Sequence, residues 1–138
     1  MRYCAACALV LLVVVALLGC GRDLAGTYHP DVRLQQGKQE SSEPGYTLTD
    51  VRAKLQAEPR TITLKPDRRY EMRNADFFEM GDWRVEGETL FLRADISNGV
   101  RIQPALQKDR TFQLSPLGKI IDDSSYGHYN LELVYERE

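Results

Sequence analysis

Cysteine is the most reactive side chain in this 138-residue sequence, and all three cysteines lie before position 21. Cys4 and Cys7 have the C-x-x-C spacing of a redox or zinc motif. They lie beside and within the uncharged apolar run 5–18, which only Arg2 and the amino terminus provide with positive charge. A short positive segment followed by an apolar segment of this length is typical of an export signal, and the run is short for a membrane span. Since such a signal is removed, we expect no function for this cysteine pair.

Cys20 follows the apolar run directly, and no cysteine follows it. The sequence "LLGC", residues 17–20, resembles the lipobox of bacterial lipoproteins: an aliphatic residue, a variable one, a small one and then cysteine. The resemblance implies that residues 1–19 are a signal peptide and that Cys20 carries a diacylglycerol with acyl chains such as palmitate. Residues 20–25 would then be a short lipidated tether to the cell membrane or the outer membrane, with the domain outside the cytoplasm. The alternative is an ordinary secretory signal with an incidental cysteine.

Histidines and carboxylates are the other side chains suited to catalysis or metal binding. His29 and His128 are the only histidines, whereas a zinc site needs three or four ligands at suitable spacing. Asp76 and Glu79 have the residue types of a general acid and base, but their surroundings are more typical of a solvated loop. The sequence contains no nucleophile elbow, phosphate-binding loop or zinc-protease motif. We therefore predict that the protein is not an enzyme, with no catalytic residue, no metal site and no cofactor.

The charges of the chain argue against nucleic acid as a partner. Without Arg2, the mature region keeps 17 of the 18 basic residues and all 20 acidic residues, for a net charge of −3. Nucleic-acid binding depends on clustered lysines and arginines that neutralise phosphates. The sequence has no such stripe, so we expect the membrane to be a partner through the lipid and nucleic acid not to be one.

Beyond position 60, apolar and polar residues alternate with a period of two, which predicts strands. The clearest segments are "TITLKPDRRYEM", "GDWRVEGETLFLRAD" and "HYNLELVYE". Turn chemistry separates them, and Asn98-Gly99 is the strongest hairpin signal of all. The pattern predicts a mainly β fold of about seven or eight antiparallel strands. A small up-and-down barrel removes exposed strand edges and is the favoured architecture; an open sheet or a sandwich is the alternative.

The elements before position 60 are fewer. Residues 50–57 are predicted to form one short helix, capped by Thr49 and ended by Pro59. Residues 31–46 are polar and rich in turn formers, and we expect an exposed loop there. The barrel domain is predicted to comprise residues 26–138.

The segments "AGTY", "TITLKPDRRYEM", "GDWRVEGETLFL" and "LVYERE" resemble the small lipocalin-like β-barrel domains of bacterial lipoproteins. Arg68 departs from that pattern, because a glycine is usual at this place in the turn. In lipocalins, a Gly-x-Trp near the start packs at the closed end of the barrel beneath an arginine of the last strand. By this resemblance, Tyr28, Trp83 and Arg137 form a structural plug. The end of the chain also resembles fatty-acid-binding barrels, in which an arginine two residues before the final tyrosine binds the carboxylate of the ligand. In this sequence Leu133 occupies that position before Tyr135, which disfavours a fatty acid as the ligand.

A possible binding patch is formed by Phe77, Phe78 and Phe91. Adjacent phenylalanines in an extended segment point to opposite sides, so we expect one of the first two in the core and the other at the surface or at a barrel mouth. Phe91 is also predicted to point outward, and ordinary packing is the alternative for all three.

The sequence thus predicts a membrane-anchored cell-envelope lipoprotein with a non-enzymatic binding or protein-interaction module. Its partner would be another envelope protein. One alternative is a lipocalin-like carrier of a small apolar ligand, and a less favoured one is an enzyme that uses loop carboxylates.

Overall fold

The computed structural model describes residues 22–138, so the predicted signal peptide and Cys20 lie outside the described residues. One helix and nine strands follow in chain order: β1 (Gly26–Leu34), α1 (Leu48–Ala57), β2 (Thr61–Leu64), β3 (Arg69–Asn74), β4 (Phe77–Glu86), β5 (Thr89–Ser97), β6 (Val100–Arg101), β7 (Asp109–Leu114), β8 (Ile120–Asp122) and β9 (Leu131–Arg137). Single 3₁₀ turns occupy Pro104–Leu106 and Gly127–Tyr129.

Eight of these strands form a closed antiparallel barrel. Each pairs with its neighbour in the order β1-β2-β3-β4-β5-β7-β8-β9, and β9 pairs back with β1 from Leu34↔Leu131 to Tyr28↔Arg137. The two-residue β6 pairs only with the end of β5. The two strands form a hairpin at Asn98-Gly99, where both residues have positive φ, 46° and 80°. The predicted up-and-down β-barrel with one helix is therefore confirmed.

The interior of the barrel is packed with side chains. Large residues of every barrel strand are buried there: Tyr28, Ile62, Leu64, Tyr70, Trp83, Leu90, Leu92, Phe112, Leu114, Ile120, Leu133 and Tyr135. They alternate along their strands with outward-facing residues, most of which are polar although Phe91 and Val134 are apolar, as expected for an eight-stranded barrel just wide enough to be filled. Within residues 22–138, every buried side-chain nitrogen and oxygen has a hydrogen-bond partner.

The helix begins two residues before its predicted start, and Thr47 caps it rather than Thr49. The Thr47 hydroxyl accepts from the backbone N–H of Asp50 at 3.1 Å, and the Asp50 carboxylate accepts from that of Thr47 at 3.4 Å. This reciprocal capping box satisfies two backbone donors at once. Thr49 has no matching acidic residue three positions later, because Arg52 stands there.

The predicted polar loop is also shorter at its start, because β1 continues to Leu34 and the loop begins at residue 35. The backbone of β9 pairs with residues 31–34 and holds them extended. On the other side of β1, β2 pairs only with residues 26–28, and α1 lies against the remainder. There Arg52 donates to the carbonyl of Val32 at 3.3 Å, and Val51 is fully buried.

Because the strands run up and down, the barrel has two distinct ends. The closed end comprises the turns at 65–68, 87–88 and 115–119 together with the chain entry at 22–25. The mouth comprises the loops at 35–47, 75–76, 98–108 and 123–130. Among the described residues there is no helix of the length and apolarity that crossing a membrane requires.

Candidate functional site

A pocket of about 390 Å³ opens at the mouth, between the inner faces of β5 and β7 and the connection that follows β6. Its lining combines apolar and charged residues. The lining residues are Glu79, Leu92, Ala94, Ile102, Leu106, Lys108, Asp109 and Arg110. Charged groups at an inward-facing position of a packed barrel are costly unless they are paired, so this pocket is the part of the fold where function is most readily sought.

The polar centre of the mouth consists of Tyr70, Glu79 and Arg110. The hydroxyl of Tyr70 donates to Glu79 Oε1 at 2.6 Å, and Arg110 Nη2 lies 3.6 Å from Glu79 Oε2. Burial and the hydrogen bond to Glu79 raise the pKa of Tyr70 well above its ordinary value. The phenol therefore stays protonated and serves as a fixed donor, which holds the carboxylate in place.

These side chains point inward because of strand register. Arg110 lies opposite the fully buried Leu92 in the pairing of β5 with β7, and directly opposed residues share a face of the sheet. Glu79 shares its face of β4 with Gly81 and Trp83, and the register shifts between Met80 and Gly81. The pairs Met80↔Ile96 and Gly81↔Ala94 leave Asp95 of β5 as the extra residue, so β4 keeps its alternation at Glu79.

Glycine at position 81 is required by the close approach of β5. A Cβ atom built there would lie 1.9 Å from the carbonyl oxygen of Arg93 and 2.7 Å from Cα of Ala94. Since both are backbone atoms, a side chain could be accommodated only by moving the strand. Glycine at this position therefore allows β4 and β5 to approach closely beside the extra residue of β5.

A second polar group, Tyr135, lies deeper in the barrel. Burial raises its pKa to about 12, and the negative charge of Asp122 adds to this effect. The positive charges of Arg60 and Arg110 act in the opposite direction. Asp122 is itself buried, and its carboxylate accepts from the hydroxyls of Ser124 and Ser125 at 2.6 and 2.5 Å.

The mouth arginine was missed by the sequence reasoning, although a signal for it exists. Arg110, Phe112 and Leu114 occupy alternate positions of one strand, and the last two are buried apolar residues. This alternation places Arg110 on the inner face. The inward position of Arg110 can therefore be predicted from the sequence, whereas its pairing with Glu79 cannot, because the two residues lie on different strands.

Two of the predicted plug residues meet at the closed end. Tyr28 and Arg137 are cross-strand partners. Tyr28 is 1% exposed, and its hydroxyl donates to the carbonyl of Leu24 at 2.7 Å. Arg137 lies across Gly26, where a Cβ atom would be only 2.5 Å from Cδ of the arginine.

Arg137 also holds the chain entry, because its Nη1 donates to the carbonyls of Asp23 and Ala25 at 3.0 and 3.2 Å. Leu24, between them, is 4% exposed and belongs to the core. The segment predicted as a tether is thus packed against the closed end from at least Asp23 onward.

Trp83, the third predicted plug residue, is also buried near this end, but a different arginine covers it. Its indole N–H donates to the carbonyl of Lys65 at 3.0 Å. The guanidinium of Arg68 lies 4.3 Å from the centre of its ring, a cation–π distance. Arg68 has φ +67°, which explains why glycine is usual at this turn position.

The three predicted patch phenylalanines do not share one surface. Phe77 packs against the core, whereas Phe78 and Phe91 lie on the outer face beneath Arg73 and Arg84, at 4.4 and 4.3 Å from the ring centres. Phe77 and Phe78 therefore face opposite sides of β4, as adjacent residues of a strand do. The arginines cover the outer rings and make this face polar.

The remaining candidate groups do not converge. Asp76 is exposed in the turn between β3 and β4, whereas Glu79 is buried on the inner face of β4. His29 contacts Glu138 at 2.9 Å, and His128 packs edge-on against Tyr129. Within residues 22–138 no three side chains of histidine, cysteine, aspartate or glutamate are grouped so that they could hold a metal ion.

Comparison of the chain with protein-family models, with curated proteins and with solved structures returned no match.

Proposed function

We propose that this chain is a membrane-anchored cell-envelope lipoprotein whose lipocalin-like barrel is a non-enzymatic binding module. Its location would be the cell membrane or the outer membrane, with the barrel outside the cytoplasm. The observation that carries the proposal is the position of the chain entry: residues 22–25 pack on the closed end, opposite the mouth and its pocket. A lipid at Cys20 then directs the mouth away from the membrane.

The distance between the anchor and the barrel supports this orientation. Arg22 donates to the carbonyl of Ser115 in a turn of the closed end, at 3.4 Å. Only two residue steps separate Cys20 from Arg22, and at about 3.8 Å a step they span at most about 8 Å. Two or more acyl chains hold a protein stably at a bilayer, so the closed end would lie against the lipid.

The surface of the closed end fits such a position. Leu117, at the tip of the turn next to the chain entry, is 85% exposed. A large apolar side chain at a turn tip is favourable at a lipid interface. Val100 and Leu106 at the mouth are also exposed, at 69% and 66%, so the orientation depends on the position of the chain entry rather than on apolar exposure.

The packed interior favours contacts at the mouth over a large enclosed ligand. Another envelope protein is the partner expected for an interaction module. The second candidate, a carrier of a small ligand, is favoured by one observation, the partly apolar pocket of about 390 Å³, which falls within the usual range of ligand sites.

The anchor is tested by replacing Cys20. We expect Cys20→Ser to abolish lipid attachment, so that the protein is released or stays uncleaved while the barrel still folds. Cys7→Ser is the matched control, because it removes a thiol from the predicted signal and should leave the lipid in place. Intact mass and membrane fractionation report the outcome. A Cys20→Ser protein that is still cleaved and still carries the wild-type lipid mass would overturn the proposal.

A further inference from the structure

We propose that the mouth pocket binds a small amphipathic anion, with its charged head on Arg110 and Lys108 and its short apolar tail against Leu92, Ile102 and Leu106. This inference rests on the proposed function, since it names the ligand class for the binding module. It depends on three observations: an arginine with spare donors, a local excess of positive charge and an apolar wall.

Arg110 is the first observation. Its side chain is half exposed although the residue occupies an inward-facing position. Within the described chain, its side chain contacts Glu79 at 3.6 Å and Met72 Sδ at 3.9 Å. A guanidinium has five N–H donors in a planar fork that suits carboxylate and phosphate groups. The remaining donors are available to a ligand in the pocket, so Arg110 offers, on β7, the carboxylate-binding arginine that position 133 on β9 lacks.

The charge balance is the second observation. Two carboxylates line the pocket beside the two basic residues. Asp109 is held on the outer face by Arg84 and Arg93, at 2.9 and 2.8 Å, so its charge is already compensated. Glu79 is buried and accepts a hydrogen bond from Tyr70. Its single charge is outnumbered by those of Lys108 and Arg110, so the pocket attracts an anion.

The apolar wall is the third observation. Leu92 and Ala94 form the buried floor, and Ile102 and Leu106 come from the connection that follows β6. Leu106 is 66% exposed, so a ligand tail placed against it would remove apolar surface from water. The volume of about 390 Å³ is at the lower end for ligand sites and limits the tail to a short chain.

The test uses residues 22–138, because this piece contains the closed barrel and its hydrophobic core. The protein is labelled with ¹⁵N and titrated with octanoate, octyl phosphate, octan-1-ol and octylammonium, which share one tail and differ in the head. We expect octanoate or octyl phosphate to shift the amides of Leu92, Ile102, Leu106 and Arg110. These anions should bind at least tenfold more tightly than the alcohol or the cation. The two anions distinguish a carboxylate from a phosphate ligand.

Two arginine variants test whether Arg110 binds the charged head group of the ligand. Arg110→Gln should weaken octanoate binding about tenfold or more, because a charged hydrogen-bonding partner is lost. The matched control is Arg101→Gln, which removes the same charge from exposed β6 and should leave binding unchanged. If Arg110→Gln disturbs the fold, Lys108→Gln, at an exposed position, gives a second reading and should also weaken binding.

The proposal is overturned if the alcohol and the anions bind equally, if the shifted amides lie away from the mouth, or if both arginine variants lose affinity alike. None of these results affects the Cys20 experiment. Failed anion binding with an acylated Cys20 would therefore reject the ligand class and leave the membrane-anchored module intact, whereas the converse result would reject the anchor alone.

Discussion

Replacing Leu24 by alanine is expected to destabilise the barrel by about 2–3 kcal/mol, because burying a leucine contributes about 1.5–3 kcal/mol and its removal leaves a cavity. Leu24 is 4% exposed, and its Cδ2 would lie 3.5 Å from a Cβ atom placed on Gly118. This loss of stability is at the low end for buried leucines, because Leu24 lies at the closed end of the barrel, where the neighbouring turn can partly fill the cavity. Leu117→Ala is the matched control, since that side chain is 85% exposed.

Urea unfolding of residues 22–138 measures both variants. With a denaturant slope of about 1–3 kcal/mol per molar, Leu24→Ala should lower the unfolding midpoint by about 0.7–3 M. Leu117→Ala should change stability by less than about 0.5 kcal/mol. Equal midpoints for the two variants would refute the reasoning, because the chain entry would then be a free tether rather than part of the fold.

Two further predictions concern the strands that carry the mouth. Gly81→Ala should lower the free energy of unfolding in urea by about 3 kcal/mol or more, because its Cβ atom would overlap the backbone of β5. Gly127→Ala is the control, since this position has room for the methyl group and an ordinary φ. A similar small loss of stability in both variants would contradict the clash. Arg84 and Arg93 lower the pKa of Asp109 to about 2, so its ion pairs contribute stability above about pH 4 that is lost as the pH falls toward 2. Asp109→Asn should therefore flatten the dependence of stability on pH between 4 and 2, and an unchanged slope would argue against these pairs.

Much of the barrel could be predicted because each strand shows its alternation of apolar and polar residues within a few neighbouring positions. The period of two marks inward and outward faces, and Asn98-Gly99 supplies the positive φ values of its hairpin. The start of the helix was predicted two residues too late because two threonines compete for the cap. Thr47 is selected by Asp50, three positions later, a relation that is visible in the sequence once the box is considered.

The features missed from the sequence depend on partners distant in the chain. Residues 31–34 are extended because β9 pairs with them, although the alternation of Val32 and Leu34 with Asp31 and Arg33 is itself a local sign of a strand. Leu24 stands alone in a polar segment, so no periodicity predicts its burial. Glu79 and Arg110 lie on β4 and β7, the two strands that flank β5, and the register of both pairings brings them together.

The proposed orientation of the protein is tested most directly by finding which end of the barrel faces the lipid. Since no cysteine follows Cys20, a fluorescent label on Leu117→Cys or on Val100→Cys marks one end alone in the lipidated protein. On vesicles with brominated lipid tails, the account predicts strong quenching of the label at position 117 at the closed end and weak quenching at position 100 at the mouth. Equal quenching, or stronger quenching at position 100, would contradict it.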